Sequence, residues 1–494
     1  MVDKPSTALI DESLRRDFRR TKIICTIGPA SSSSQVISEM ASAGMNIARL
    51  NMSHGTQESH GKIIRQIKNL NKKLNHPLAL LMDLQGPEIR TGEIESNLQL
   101  NVGDIFTFTV LPDVNIEEKS VHVNYRDLVK DLKKGDRITV DNGLINLQVL
   151  EVVEGQLRCK VLEGGKLGSR KHINLPGVRV NLPSITEKDK SDIQFAVEND
   201  LDFIALSFVR TGDDVKQAKS LVEQFEGHTQ IIAKIENQEG IDNFDDILSE
   251  ADGIMVARGD LGVEIALEEL PVVQRDIVRK CSIAGKPVIV ATHMLESMIE
   301  NPMPTRAEVT DVANAVHEQS DCIMLSGETA AGKYPVKCVQ VLDRIARRTE
   351  KEDGMHFHSL REPTDARENL AKSAVLLADS IQAPAIMVIT RRGLLARQVA
   401  NYRPKHSIIY AFTNMTSSRR KLWLIRGVVP FIMDFSKDPE NTIRKGFQKL
   451  RDRNRVSPGD SIVVVSDVAA GDQRVTSIQI RTFGQYVSNS NSKT

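Results

Sequence analysis

The sequence predicts an α/β protein: a (β/α)8 barrel with an inserted, β-barrel-like lid domain and a C-terminal α/β domain. Three observations carry this. Eight short, β-branched apolar runs alternate with amphipathic stretches, the pattern of a parallel sheet wrapped by helices. Between about Thr91 and Leu182 the alternation gives way to closely spaced short strands punctuated by glycine and proline. It resumes beyond the polar linker "ARRTEKEDGMHFHSLREPTDARENL". Eight units favour a closed barrel, although counting alone leaves an open doubly wound sheet as an alternative.

In chain order, the strand candidates are "KIICTIG", "NIARLNMS", "LALLMDLQG", "LDFIALSFV", "IIAKIEN", "GIMVARGD", "KPVIVATHM" and "DCIMLSGET". Helical patterns lie between them, among them "SQVISEMASAG", "GKIIRQIKNLNKKL", "DDVKQAKSLVEQF", "NFDDILSEA", "VVQRDIVRKCSIAG" and "TDVANAVHEQ", several ending in a capping glycine. The inserted region contributes "IFTFTVL", "DRITVDNGLINLQVLEVVEG" and "QLRCKVLEGG", with one convincing helix, "YRDLVKDLKKG". Because it follows the third strand, it is expected to sit over the C-terminal mouth of the barrel as a water-excluding lid. Beyond the linker come "AIMVITRRG", "SIIYAFTN", "GVVPFIMDF", "SIVVVSDVA" and "TSIQIRTF". The expected divisions are an N-terminal segment at 1–21, the barrel at 22–87 and 183–355, the lid at 88–182 and the C-terminal domain at 356–494. The tail "SNSNSKT" reads as disordered.

The bulk numbers exclude several classes of function. The 494 residues are 40% hydrophobic and 26% charged, and 65 basic side chains balance 65 acidic ones, so nothing calls for nucleic acid or a membrane. The N-terminal stretch has no apolar core of signal-peptide length, and eighteen uncharged apolar residues never run together. The five cysteines are scattered without a C-x-x-C pair, which suits a reducing cytoplasm better than a disulfide or zinc framework.

Chemistry in a barrel gathers at the C-terminal ends of the strands, and polar residues fall there on nearly every candidate. They include Arg49, Asn51, Ser53, His54, Asp83, Ser207, Arg210, Lys234, Glu236, Arg258, Asp260, Thr292, Ser326 and Glu328. Any one of them is explained by a strand end meeting solvent; the constellation is not. Lys234 and Glu236 are two apart and share one strand face, with Ala233 and Ile235 on the other. Alone, such a pair is more often a structural ion pair. Asp260, from the next strand, adds a second carboxylate, and two carboxylates suit Mg²⁺, which keeps waters and takes its remaining ligands from substrate. Arg49, Arg90 and Lys234 make the mouth cationic opposite that metal, an arrangement for holding a transferring phosphoryl group.

Two other motifs carry less. "GETAAGKY" (327–334) matches G-x-x-x-x-G-K but has Tyr334 where a phosphate loop needs Ser or Thr. The basic helix "KIIRQIKNLNKKL" (62–74) carries an ordinary core stripe of Ile63, Ile64, Ile67, Leu70 and Leu74, so its lysines read as a solvated face.

Taken in order, "CTIGPAS", "ARLNMSHG", "DLQGPEIRTG", "NLPSITEKD", "AKIENQEG", "DGIMVARGDLGVE", "ATHMLESMIENPMPTRAEVTDVANAV" and "DCIMLSGETAAGKYP" resemble the pyruvate kinase family over nearly the whole chain. The resemblance implies transfer of the phosphoryl group of phosphoenolpyruvate to ADP, giving ATP and pyruvate through an enolate, usually by a homotetramer. It implies that Lys234 stabilises the transferring group and that Glu236 and Asp260 ligate Mg²⁺ (or Mn²⁺). Arg49 and the Gly259 backbone match substrate contacts, and Thr292 matches a substrate-contacting threonine linked to enolate protonation. Arg90 matches a nucleotide-phosphate contact, with Asn51 and His54 in the nucleotide segment.

A K⁺ ion is held in many members at positions occupied here by Asn51, Ser53, Asp83 and the Leu84 carbonyl. Glu88 and Thr91 resemble the K⁺-dependent group, whereas Leu84 and Gln85 resemble the K⁺-independent group, which carries lysine at position 88. With no ammonium at position 88, K⁺ dependence is expected. Thr211 and His293 depart from the common lysine and glutamine. Members that bind fructose 1,6-bisphosphate use a Ser/Thr-rich loop where this chain has "TRRGLLAR" (390–397), so a weak or absent response is expected. Arg391 and Arg392 leave room for another phosphorylated effector in the C-terminal domain, or are solvated charges. The competing readings are another Mg²⁺-dependent phosphoenolpyruvate or enolate enzyme on a barrel, and a non-catalytic metabolite-binding homologue.

Overall fold

The computed structural model describes residues 18–484, apart from 95, 112–118, 142, 179 and 471–472. Most of the expected N-terminal segment and all of the tail "SNSNSKT" lie outside the described residues. Eight parallel strands close into a barrel: β1 (Lys22–Thr26), β2 (Ile47–Asn51), β3 (Ala79–Asp83), β4 (Phe203–Leu206), β5 (Gln230–Ile235), β6 (Gly253–Ala257), β7 (Val288–Ala291) and β8 (Cys322–Leu325). Each strand pairs with its chain neighbours, and β1 meets β8 to close the ring, with Cys25 opposite Leu325. The expected barrel and C-terminal α/β architecture is therefore present.

Strand alternation sorts the side chains into two cores. On β5, Ile231, Ala233 and Ile235 belong to the layer between sheet and helices, whereas Ile232 belongs to the barrel interior. Ile24, Ile47, Ala79, Leu81, Phe203, Ala205, Met255, Ile289, Ala291 and Met324 fill the same interior. Continuing these interior files by two residues brings in Thr26 on β1, Arg49 on β2, Asp83 on β3, Ser207 after β4 and Lys234 on β5, with Glu236 two further on, just past the end of that strand. The apolar filling thus ends upward in a polar layer.

The lid leaves the barrel after β3 and returns before β4, yet β3 and β4 stay paired, Leu81 opposite Phe203. It holds a six-stranded sheet, from Ile173–Asn174 at one edge to Ser120–His122 at the other, and a two-stranded ladder, Leu98–Leu100 with Gly165–Leu167. Its own core is built on Phe106, Phe108, Leu147, Leu157 and Val161. The C-terminal sheet consists of β9 (Ala385–Ile389), β10 (Ile408–Thr413), β11 (Val428–Ile432), β12 (Ser461–Ala470) and β13 (Gln473–Thr482), in the order β11-β10-β9-β12-β13. Only β13 runs antiparallel.

Among the helices that the sequence pattern does not single out are Glu187–Glu198, Pro335–Thr349 and Ala366–Ser380, the last beginning within the stretch read as a linker, and Arg258–Glu264 begins where strand residues are expected. The barrel interior also continues through its floor: Trp423, Leu424, Val429 and Phe431 of the C-terminal domain share one apolar cluster with it.

Candidate active site

At the mouth, Lys234 is the centre of a buried charge network. Its Nζ donates to Ser207 Oγ at 2.7 Å, and lies 2.9 Å from Glu236 Oε1 and 3.1 Å from Asp83 Oδ1. Ser207 passes the network on, donating to the Leu84 carbonyl at 2.7 Å. Arg49 donates through Nε to Asp83 Oδ2 at 2.7 Å and through Nη1 to Thr26 Oγ1 at 2.8 Å. Five interior files thus meet in one polar layer.

The electrostatics follow from burial. Desolvation alone would lower Lys234, but Asp83, Glu236 and Asp260 outweigh it and hold the ammonium above its ordinary range. Burial would likewise raise Asp83, and Arg49 with Lys234 overcomes that and holds it ionised. Glu236 goes the other way: burial pushes it up to about 7, and the Asp260 charge adds to the rise against the pull of Lys234. Asp260 is raised too, by its burial, and stands close enough to Glu236 to share a hydrogen bond. Two carboxylates that resist ionising together are a site short of positive charge.

The backbone is bent to aim these groups. Phe208 has φ +53°, and its N–H donates to Glu236 Oε2 at 2.7 Å. Gly86 has φ +73°, and a Cβ there would stand 2.8 Å from Ser207 Cβ, so the chain can leave for the lid only over a residue without a side chain. Thr292 has φ +67°, an unfavourable conformation for a β-branched residue. It is held there by bonds on three sides: Oγ1 donates to the Ala291 carbonyl at 2.6 Å, Gly259 N–H donates to Oγ1 at 2.7 Å, and Arg258 Nη2 donates to the Thr292 carbonyl at 2.7 Å. Arg258 is anchored by Asp311 at 2.7 Å.

Among the other expected residues, Asn51 and Asp83 stand opposite each other in register, and Asn51 Oδ1 accepts from Ser53 N–H at 3.2 Å. His54 is exposed. Arg90 is drawn aside: its Nε donates to Glu88 Oε2 at 2.6 Å and its Nη1 to the Arg170 carbonyl of the lid at 2.9 Å. Lys333 of "GETAAGKY" is 63% exposed and pairs with Glu300, away from any phosphate cradle.

The family model of the pyruvate kinase barrel domain matches residues 18–339, and that of the pyruvate kinase alpha/beta domain matches residues 368–479. The chain belongs to the pyruvate kinase family. It is 41% identical over 489 residues to a pyruvate kinase of Dictyostelium discoideum, covering 95% of this chain and 96% of that one. It is 42% identical over 471 residues to plastidial pyruvate kinase 3, chloroplastic, of Arabidopsis thaliana, with 94% and 82% covered. Against a pyruvate kinase of Geobacillus stearothermophilus it is 42% identical over 468 residues, with 93% and 79% covered.

Pyruvate kinase chemistry asks for phosphotransfer, and sequence reasoning had named most of the polar layer but not its internal supports. Thr26 is absent from the expected strand ends, although it ends the interior file of β1 and holds Arg49. Ser207 and Arg258 were seen only as polar strand ends. Period-two counting places Ser207 at the end of an interior file; Arg258, which opens a helix, is marked only by following the strand candidate "GIMVARGD".

Proposed function

We propose that this barrel mouth transfers the phosphoryl group of phosphoenolpyruvate to ADP, giving ATP and pyruvate. The observation that carries the reading is Lys234, a buried ammonium fixed on three sides by Ser207, Asp83 and Glu236, with the second carboxylate of Asp260 close by. Charge migrates across the transferring group in the transition state, and a preorganised cation in a water-poor site lowers that barrier without reorganising. Arg49, braced by Thr26 and Asp83, serves as the second cation and orients the substrate.

Glu236 and Asp260 fit a divalent ion. Glu236 Oε1 is buried with the Lys234 ammonium beside it at 2.9 Å, and both carboxylates are raised by burial. They would hold Mg²⁺ or Mn²⁺, which supplies positive charge to the phosphoryl oxygens. For K⁺, the Asp83 carboxylate, held ionised by Arg49 and Lys234, joins Asn51, Ser53 and the Leu84 carbonyl in an oxygen-only set suited to a hard monovalent ion. Thr292 has its own proton committed to Ala291, so we assign it to positioning a proton-bearing water rather than to donating directly. Asn51, His54 and Arg90 are assigned to the nucleotide, with Arg90 released from Glu88 on binding.

We place the enzyme in the cytoplasm as a homotetramer. All five cysteines are free and buried, and no helix among the described residues is long and apolar enough to cross a membrane. The decisive experiment is a coupled assay of ATP formation from phosphoenolpyruvate and ADP with Mg²⁺, with and without K⁺. Turnover that collapses without K⁺ is expected; no turnover in either salt, from folded protein, sinks the reading.

A further inference from the structure

Where β7 ends, the chain turns through two successive residues of positive φ, Thr292 at +67° and His293 at +54°. Neither is glycine, and left-handed backbone at side-chain-bearing residues persists only where the surroundings impose it. Two such residues in a row turn their carbonyls to one side, as any helical turn does, so their negative ends converge.

One side chain sits at the convergence. Arg258, which directly follows β6, reaches all three carbonyls of the turn. Its Nε lies 3.3 Å from the carbonyl oxygens of Ala291 and Thr292, its Nη2 donates to Thr292 at 2.7 Å, and the His293 carbonyl is within 3.5 Å. Arg258 is only 8% exposed and is fixed from behind. Its Nη1 donates to Asp311 Oδ1 at 2.7 Å and lies 3.4 Å from Gln274 Oε1, whose own amide donates to the buried Glu318 at 2.8 Å. A planar fork with donors on fixed bearings can serve several carbonyls and a carboxylate together; a point-like ammonium cannot.

The turn decides where the Thr292 hydroxyl aims. Oγ1 donates its proton to the Ala291 carbonyl at 2.6 Å and accepts from Gly259 N–H, next in the chain to Arg258, at 2.7 Å. One lone pair is left, and it can only accept, so the natural partner is a water that keeps a proton to give away.

We propose, on the pyruvate kinase reading of this mouth, that Arg258 is a positioning residue for the protonation half of the reaction. By fixing the turn it aims the last lone pair of Thr292 Oγ1, and so the water held there, at the enolate. In that step a C–H bond forms at the methylene carbon, an O–H bond of the water breaks, and the hydroxide left behind is reprotonated from solvent. Phosphoryl transfer does not pass through Thr292, so the guanidinium serves one half of the reaction more than the other.

The two halves can be timed separately on the full chain. Run backwards, protonation is the removal of a methyl proton from pyruvate. Exchange of those protons with D₂O, followed by NMR with Mg²⁺, K⁺ and inorganic phosphate present, therefore reads that half alone, while ATP formation from phosphoenolpyruvate and ADP reads the whole. Arg258→Lys keeps the charge but not the fork, and Asp311→Asn, at a side chain 35% exposed, loosens the guanidinium from behind while sparing folding. Exchange should slow by about tenfold or more in the first and severalfold in the second, with KM for phosphoenolpyruvate and for ADP moving less than about threefold. Exchange that is unchanged, or that falls only in step with both KM values, would reduce Arg258 to a brace of the fold and overturn the proposal. So would a wild type that forms ATP yet exchanges no deuterium. A wild type that forms no ATP fails on the earlier reading instead, and the proposal falls with it.

Discussion

At the residue scale, Lys234 and Glu236 have opposite tasks although they touch. Lys234 is needed most when charge is moving, so Lys234→Met should lower kcat by at least ~10²-fold while KM for phosphoenolpyruvate changes little. Equal losses in binding and turnover, measured by steady-state kinetics, would make it a ground-state anchor instead. Glu236, proposed as a metal ligand, is pushed up to about 7 by burial, with the charge of Asp260 adding to the rise. A proton and a divalent ion compete for it, so the sign is fixed: below about pH 7 the raised carboxylate is protonated and apparent Mg²⁺ affinity falls, by up to about tenfold per pH unit for one displaced proton. Calorimetry in buffers of different ionisation enthalpy reads the released proton directly, and Mg²⁺ affinity flat from pH 8 to 6 contradicts the assignment. Spacing alone made Lys234 and Glu236 a pair, and Asp260 made them a candidate site. What stayed hidden was Thr26, because a threonine at a strand end carries no mark until Arg49 is seen resting on it.

At the scale of elements, the barrel was legible because its strands set apolar files facing in and out, and on β1 to β5 the inner file ends in a polar residue. The helices were less so. Pro335–Thr349 follows the glycine-rich "GETAAGKY", which draws attention to a loop, and Arg258–Glu264 opens with the dipeptide Arg-Gly, a poor helix start that tertiary contacts override. The connection from β3 into the lid is where element geometry and chemistry meet. Gly86→Ala would put a methyl 2.8 Å from Ser207 Cβ at a positive φ, so a loss of about 1–2 kcal/mol of stability is expected. Activity should fall further than stability, because the displaced Ser207 hydroxyl links Lys234 to the Leu84 carbonyl. A thermal melt beside a turnover assay separates the two, and full activity in Gly86→Ala would show that the link is idle.

At the scale of the whole molecule, the C-terminal domain plugs the barrel floor, and no local pattern foretells this because the contact joins residues hundreds of positions apart. Lys22, on β1, is only 1% exposed there; its Nζ donates to the Val428 carbonyl at 2.7 Å and lies 5.0 Å from the Trp423 ring centroid and 5.4 Å from that of Phe18. Read from sequence, a lysine opening a strand is a solvated charge, and only the docked domain turns it into a buried one. Burial first, then the charges of Arg19 and Arg426, bring it down to about 7. The sign follows: between about pH 7 and its ordinary range near 10.5 the unfolded chain holds a proton at Lys22 that the folded chain does not, so stability rises with pH in that window. The slope is at most about 1.4 kcal/mol per pH unit for one such group. Other groups titrate in the same range, so the measurement is a difference: unfolding free energies of wild type and Lys22→Met at pH 7 and pH 9. The rise should be smaller in the variant, in which the neutral side chain still fills the space under Trp423. An identical rise in both would mean that Lys22 keeps its charge inside the junction, held by the two rings and the Val428 carbonyl.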